Sequence, residues 1–214
     1  MTTNAIDNPS ASQHRERALR LAAAMFLQHG FRDTPDRPAT TDSNLRCQLD
    51  QFPTTSSLAI AILDEVYNGV PFLAHSSFRV RATPLQHIVM CCRAVVAAFQ
   101  EDPLALATLR IKRDRGLITG EVPEPHALWA GQIEDMLERA TEWEELPPTV
   151  QPEPAALLLV TAFHGITEIV QDLGMPSRQH DLVDELLLSM LARWGAAGPS
   201  ALIASAKERL DTPL

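Results

Sequence analysis

In the apolar stretch LLLVTAFHGITEIV, residues 157–170, four polar side chains interrupt the pattern: Thr161, His164, Thr167 and Glu168. If the stretch is helical, spacings of three and four residues bring them to one face. Two chemistries follow. A carboxylate beside an imidazole stabilises the protonated ring, which makes His164 and Glu168 candidate catalytic residues for general acid–base proton transfer. A few convergent polar groups on an apolar wall also suit the orientation of a mostly apolar ligand. In a plainer arrangement His164 and Glu168 pair only with each other or meet a second subunit. Two residues at helical spacing do not make an enzyme, so catalysis stays open, with the balance toward binding.

Other reactive centres are not encoded. The histidines at 75, 87, 126, 164 and 180 show no metal-ligand spacing, and no nucleophile elbow, phosphate loop or dinucleotide fingerprint occurs. No metal and no cofactor is expected. Cys47, Cys91 and Cys92 are odd in number and lack a CxxC spacing, which fits reduced thiols in a cytoplasmic protein. Arg110, Lys112, Arg113 and Arg115 form a basic cluster that reads as a solvated helix end, where cations meet the negative pole of the helix dipole.

The net charge of −9 excludes a protein that coats nucleic acid with its whole surface. A local patch would have to lie near the N-terminus, yet residues 1–60 hold six arginines against six carboxylates. Within that region Asn44, Arg46 and Gln48 are residue types that reach base edges, and Arg17 is one that can meet phosphate. A solvated short helix accounts for the same residues equally well.

The elements that must carry these groups are helical. Leu19, Ala22, Ala23 and Phe26 give a helix over 13–29, closed by Gly30, and residues 1–12 read as a disordered tail without the features of a signal peptide. Pro35 and Pro38 forbid a helix through 35–42, after which Ser43 opens a short one toward Phe52. Thr55–Asn68 is a third. Thr83 and Pro84 start a segment whose apolar stripe includes Val89, a candidate apolar wall for a ligand. Further helices begin at Pro103 and Pro125 and cover 154–173 and 181–194. The last two are apolar on more than one face and are expected to complete their burial in a homodimer. No run approaches the roughly 18 apolar residues of a membrane span, and no strand or repeat pattern is present.

Gly30, Phe31 and Thr34, followed by a short helix and then FPTTSSLAIAILDEV at 52–66, resemble the TetR family of repressors. LALATLRIKRDRG (104–116), PHALWAGQIEDMLERA (125–140) and LLLVTAFHGITEIV narrow the likeness to the γ-butyrolactone receptor branch. The resemblance implies an all-α, TetR-like fold. It comprises a small helix-turn-helix-type head at 13–70 and a larger helical ligand-binding and dimerisation bundle at 71–214. It also implies a small lipophilic ligand, lactone or polyketide-like, with Trp129 lining the cavity, and operator DNA as a partner.

The departures from the family lie in the head. PDRPATTDSN replaces its second helix and turn, and RCQL at 46–49 replaces a recognition-helix segment that ends in a phosphate-binding tyrosine. Thr55 stands where the family has a phosphate-binding lysine. Phosphate contacts dominate baseline affinity for a duplex, so a regulator with weakened DNA binding is expected. The alternative is a protein that has lost DNA binding and keeps the cavity for binding or converting a biosynthetic intermediate.

Overall fold

A computed structural model describes residues 9–35, 43–68 and 82–211. Their regular structure is entirely helical: α1 (Pro9–His29), α2 (Ser43–Leu49), α3 (Thr55–Asn68), α4 (Pro84–Glu101), α5 (Pro103–Arg113), α6 (Pro125–Glu142), α7 (Pro152–Asp172), α8 (Gln179–Trp194) and α9 (Pro199–Asp211). Short 3-10 turns occupy Arg115–Leu117 and Pro176–Arg178. The all-α, TetR-like class expected from sequence is what is observed.

Proline explains much of the segmentation. Helices α1, α4, α5, α6, α7 and α9 all open on proline, whose fixed φ suits the first turn and whose missing N–H has no intrahelical partner there. Local caps add to this. The Asp102 carboxylate accepts from Leu104 N at 3.0 Å ahead of α5. Thr83 and Gln86 cap α4 reciprocally, with Thr83 N donating to Gln86 Oε1 at 3.0 Å and Gln86 N to Thr83 Oγ1 at 3.4 Å. At the far end of α8, Gly195 takes φ +81° and the Ala196 amide bonds back to Leu191 O at 3.0 Å. A side chain there would meet both the left-handed backbone penalty and Pro147.

The chain folds as two compact units, one of residues 1–69 with 101–123 and one of 70–100 with 124–214. In the first, α1 presents Leu19, Ala22, Ala23 and Phe26 to Leu58 and Ile62 of α3 and to Leu104, Ala107 and Ile111 of α5. These α5 residues belong to a stretch that the sequence assigns to the C-terminal body. In the second unit α4, α6, α7, α8 and α9 share a core that includes Ile88, Val89, Leu137, Phe163, Leu187 and Ala206. Three of its helices are also tied by charge, since Asp184 on α8 accepts from Arg93 of α4 at 2.6 Å and lies 2.5 Å from Lys207 Nζ of α9.

Several boundaries differ from the sequence reading. Helix α1 begins at Pro9 and not at residue 13. Residues 1–8 of the expected tail, residues 36–42 of the proline-bearing gap and the expected domain boundary at 70 lie outside the described residues. Helix α5 ends at Arg113, three residues before Gly116, because Asp114 leaves helical geometry and its N–H bonds back to Ile111 O at 3.1 Å. Helix α9 was not anticipated; its apolar positions Leu202, Ile203 and Ala206 are few and its start is a bare proline after a Gly-Pro turn signal. Helix α7 is, among the described residues, long and apolar enough by length and composition to cross a bilayer, contrary to the expectation that no run would qualify. Here it packs along α6 and α8 through residues such as Ala156, Leu159, Phe163 and Val170.

Candidate ligand site and nucleic-acid face

Three of the candidate ligand residues, Trp129, His164 and Glu168, lie where α6 crosses α7. Trp129 is half-buried and meets Phe163 edge-on, with ring centroids 4.9 Å apart and planes at 87°. That geometry places the positive edge of one ring against the negative face of the other and adds about 0.5–1.5 kcal/mol to their burial. One turn earlier on α6, His126 lies against His164, with centroids 4.5 Å apart and planes inclined at 53°. His164 Nε2 is 3.9 Å from Glu168 Oε1 one turn further along α7, an ion pair only when the imidazole is protonated. Two aromatic pairs and a carboxylate thus line one helix crossing.

The other expected residues divide. Thr167 is buried, donates from Oγ1 to Phe163 O at 3.0 Å and accepts from Gln179 Nε2 at 2.9 Å, so its hydroxyl joins α7 to the start of α8. Thr161 is exposed on the side of α7 that also carries Leu157, Leu158 and Gly165. Val89 is fully buried in the core of the same unit. Sequence reasoning missed His126 and Phe163 as members of the cluster. His126 precedes Trp129 by three residues and Phe163 precedes His164, so helical spacing from the two residues already singled out was the signal available.

In the first unit the elements of a head are built by local bonds. Gly30 takes φ +75° and donates to Phe26 O at 2.8 Å, which ends α1. The Phe31 ring then stacks parallel to Phe26 at 6.1 Å, and Phe31 N donates to Asp114 Oδ2 at 3.3 Å. Thr34 Oγ1 returns to Gly30 O at 2.5 Å, and Thr55 Oγ1 reaches Thr34 O at 3.3 Å. Thr54 and Ser57 cap α3 reciprocally, each backbone N–H donating to the other's hydroxyl at 3.1 Å. An open cleft of about 660 Å³ runs beside this cap, lined by Phe31, Arg32, Thr34 and Thr54 to Ser56 among others.

On α2, Arg46 is exposed and Gln48 is half-buried, accepting from Gln51 Nε2 at 3.3 Å, while Leu49 anchors the helix in the core. Asn44 lies in the first turn of α2, but its side chain is outside the described residues. Of the α1 arginines, Arg17 is exposed. Arg15 pairs with Glu65, and Arg20 pairs with Glu16 at 3.0 Å and with Asp102 at 2.9 Å. The Glu16 hydrogen bond, followed on the same side by the Asp102 charge, holds the Arg20 guanidinium above its ordinary pKa against a lowering by burial. Thr55, at the family's lysine position, is buried and turned inward onto Thr34 O.

The relatives of the chain agree with this architecture. No family model matches the sequence. Among curated proteins, the A-factor receptor protein of Streptomyces griseus is 26% identical over 151 residues, a match taking in 68% of this chain. The chain spans about half (50%) the length of that relative. A solved structure concerning the molecular basis for control of antibiotic production by bacterial hormones is 28% identical, covers 84% of this chain and 96% of its own, and superposes with a TM-score of 0.71. A γ-butyrolactone receptor (ArpA-like protein) superposes at 0.68 with 19% identity, covering 93% of this chain and 98% of its own. CprB, a TetR family protein of Streptomyces coelicolor, superposes at 0.67 with 17% identity, covering 94% of this chain and all (100%) of its own. Sequence and fold together are thus similar to those of TetR-family γ-butyrolactone receptors.

Proposed function

We propose that the protein is a ligand-responsive transcriptional regulator of secondary metabolism, working as a homodimer that takes a small lipophilic ligand in each subunit. The observation that carries this reading is the Trp129–Phe163 and His126–His164 crossing, within a fold whose 28%-identical structural relative concerns hormone control of antibiotic production. An indole wall beside an imidazole and a carboxylate suits a ligand with an apolar body and a carbonyl. Helices α7 and α8 supply the dimer face in this reading, because Leu157, Leu158 and Ile169 of α7 and Leu182 of α8 are exposed large apolar residues. Ligand acts by differential affinity: it must favour a spacing of the two heads that no longer fits successive major grooves. The decisive experiment is a mobility shift with DNA from upstream of the chain's own gene and its neighbours at low salt. Retardation that a γ-butyrolactone relieves is the expected result; no retardation by folded dimer overturns it.

A second reading is favoured by the head itself. Among the described residues of the head, Arg15 and Arg20 are engaged by carboxylates and Thr55 is turned inward, which reduces the groups available to phosphate. In that reading the body binds or converts a biosynthetic intermediate without any role at DNA, with His164 and Glu168 as the proton-transfer pair. Its test is conversion of such an intermediate and loss of that conversion in His164→Ala.

A further inference from the structure

A groove of about 510 Å³, open to solvent, lies in the second unit where the α6–α7 turn meets the α8–α9 turn. Leu146, Pro147 and Pro148 line it from the first turn and Ala197 from the second. Glu144 and Glu145 line it as well, and the described lining holds no cation. The backbone beneath is set by paired bonds that close α6: Glu144 N donates to Thr141 O at 3.1 Å and Glu145 N to Ala140 O at 2.8 Å, while Leu146 is buried. Glycine ordinarily takes the left-handed position in such a closure. Here it is Glu144, with φ +59°, the one positive-φ non-glycine among the described residues. Its charge also sits badly on the helix, since Glu138, Glu142, Glu144 and Glu145 crowd the negative pole of α6 against a single cation, Arg139. Glu145 accepts from Leu85 N at 3.2 Å. Glu142 and Glu144 have no cationic partner among the described residues.

We infer that this groove docks an extended, basic segment of a partner protein, one in which arginine or lysine alternates with apolar residues. Charge complementarity sets the sign of the occupant: on a chain of net charge −9, a groove lined by two carboxylates and no cation repels nucleic acid and acidic segments alike. The form of the groove sets its class. A small ligand needs roughly 70–90% of its surface covered, which an open groove does not give, whereas an extended chain can run on past it and gain contacts there. Long basic side chains lay their methylene stems along apolar walls such as Pro147, Pro148 and Ala197 and bring their charged heads to carboxylates. Trp143, immediately before Glu144, is 56% exposed and adds an indole of the kind on which arginine stacks. A docking role also accounts for a glutamate at a glycine position, because the carboxylate is kept at the groove at a cost to the helix end.

The probe is a fluorescein-labelled peptide of alternating leucine and arginine, and its control is the same peptide with citrulline, a neutral near-isostere, for every arginine. Binding to the full chain is read by fluorescence anisotropy at low salt. Wild type is expected to bind the arginine peptide at least about tenfold more tightly than the control, the worth of one charge-assisted hydrogen bond. Glu144→Gly is expected to weaken the arginine peptide about fivefold or more and to raise Tm by roughly 2–4 °C, because it relieves the left-handed backbone. A variant that is more stable and binds worse excludes misfolding as the cause. Ala197→Phe leaves every carboxylate in place and fills the groove, and it should cost the arginine peptide about tenfold in affinity. No binding to wild type, equal affinities for the two peptides, or a Glu144→Gly chain that binds like wild type overturns the inference. So does Ala197→Phe without effect, which would put the peptide on the acidic surface outside the groove. If arginine amide alone competes as strongly as the unlabelled peptide, the groove takes a small cation and the partner-protein inference falls. None of these outcomes bears on lactone or DNA binding.

Discussion

Replacing Thr167 by valine removes a single hydroxyl at nearly constant shape, and its consequence can be worked from three bonds. The Phe163 carbonyl that Thr167 Oγ1 meets is at a helical position with a backbone partner of its own, so losing that bond costs little. The larger effect falls on Gln179. Its only hydrogen bond disappears, and a fully buried amide is left with neither end matched. Stranding such a group costs about 1–3 kcal/mol. For a chain of this length each kcal/mol lowers Tm by about 2–4 °C, giving a fall of roughly 2–12 °C. Gln179→Met alone should be milder, within about 1 kcal/mol, because Thr167 still donates to Phe163 O. The double variant is the sharper test. With both partners apolar nothing is stranded, so Thr167→Val/Gln179→Met should be no worse than about 1 kcal/mol below wild type and more stable than Thr167→Val. Denaturant unfolding followed by circular dichroism supplies all four corners of the cycle. A Thr167→Val cost under about 0.5 kcal/mol, or a double variant as unstable as the sum of the singles, would refute the reasoning.

Trp129→Ala should weaken binding of a γ-butyrolactone probe by about tenfold or more while lowering stability by only about 1–3 kcal/mol, since the indole is half-buried and its main aromatic partner is Phe163; titration calorimetry and thermal melts separate the two. Asp184→Asn breaks the pairs with Arg93 and Lys207 and should cost about 1–3 kcal/mol, between the values for exposed and buried pairs, with a smaller loss in high salt. Thiol titration of the native protein near pH 8 should modify Cys47 quickly and leave Cys91 and Cys92 until unfolding. Burial, and then the neighbouring Cys91, push the Cys92 thiol well above its ordinary pKa and keep it protonated and unreactive.

The fold was legible because proline, caps and apolar periodicity agree along most of the chain. Thr55–Asn68 and the start of α4 at Pro84 fall where the hydroxyl and proline signals place them. Helix α9 was not legible, because two buried positions, Ile203 and Ala206, in thirteen residues give a weak stripe. Site membership is harder to read for a physical reason. Periodicity says which residues share a helix face but not which second helix covers that face. Thr167 and Glu168 are adjacent in sequence, yet one bonds to Gln179 on α8 and the other lies near His164 on its own helix. Gln179 itself carries no local pattern; only the α7–α8 contact gives it meaning. The same limit applies to Thr55, where sequence shows the missing lysine but not that the replacement hydroxyl would be drawn inward onto Thr34 O.

The first unit is not a contiguous piece of chain, because residues 101–123 return to it after the polypeptide has already entered the second. A fragment cut at residue 70 would therefore forfeit Leu104, Ala107, Ile111 and Ile118 and leave Phe26 and Ile62 facing water. It would also strip Asp102 from Arg20 and Asp114 from the Phe31 amide. Grafting the first unit onto another module requires transplanting both stretches, and an N-terminal fragment that aggregates would say nothing about whether the intact molecule binds DNA.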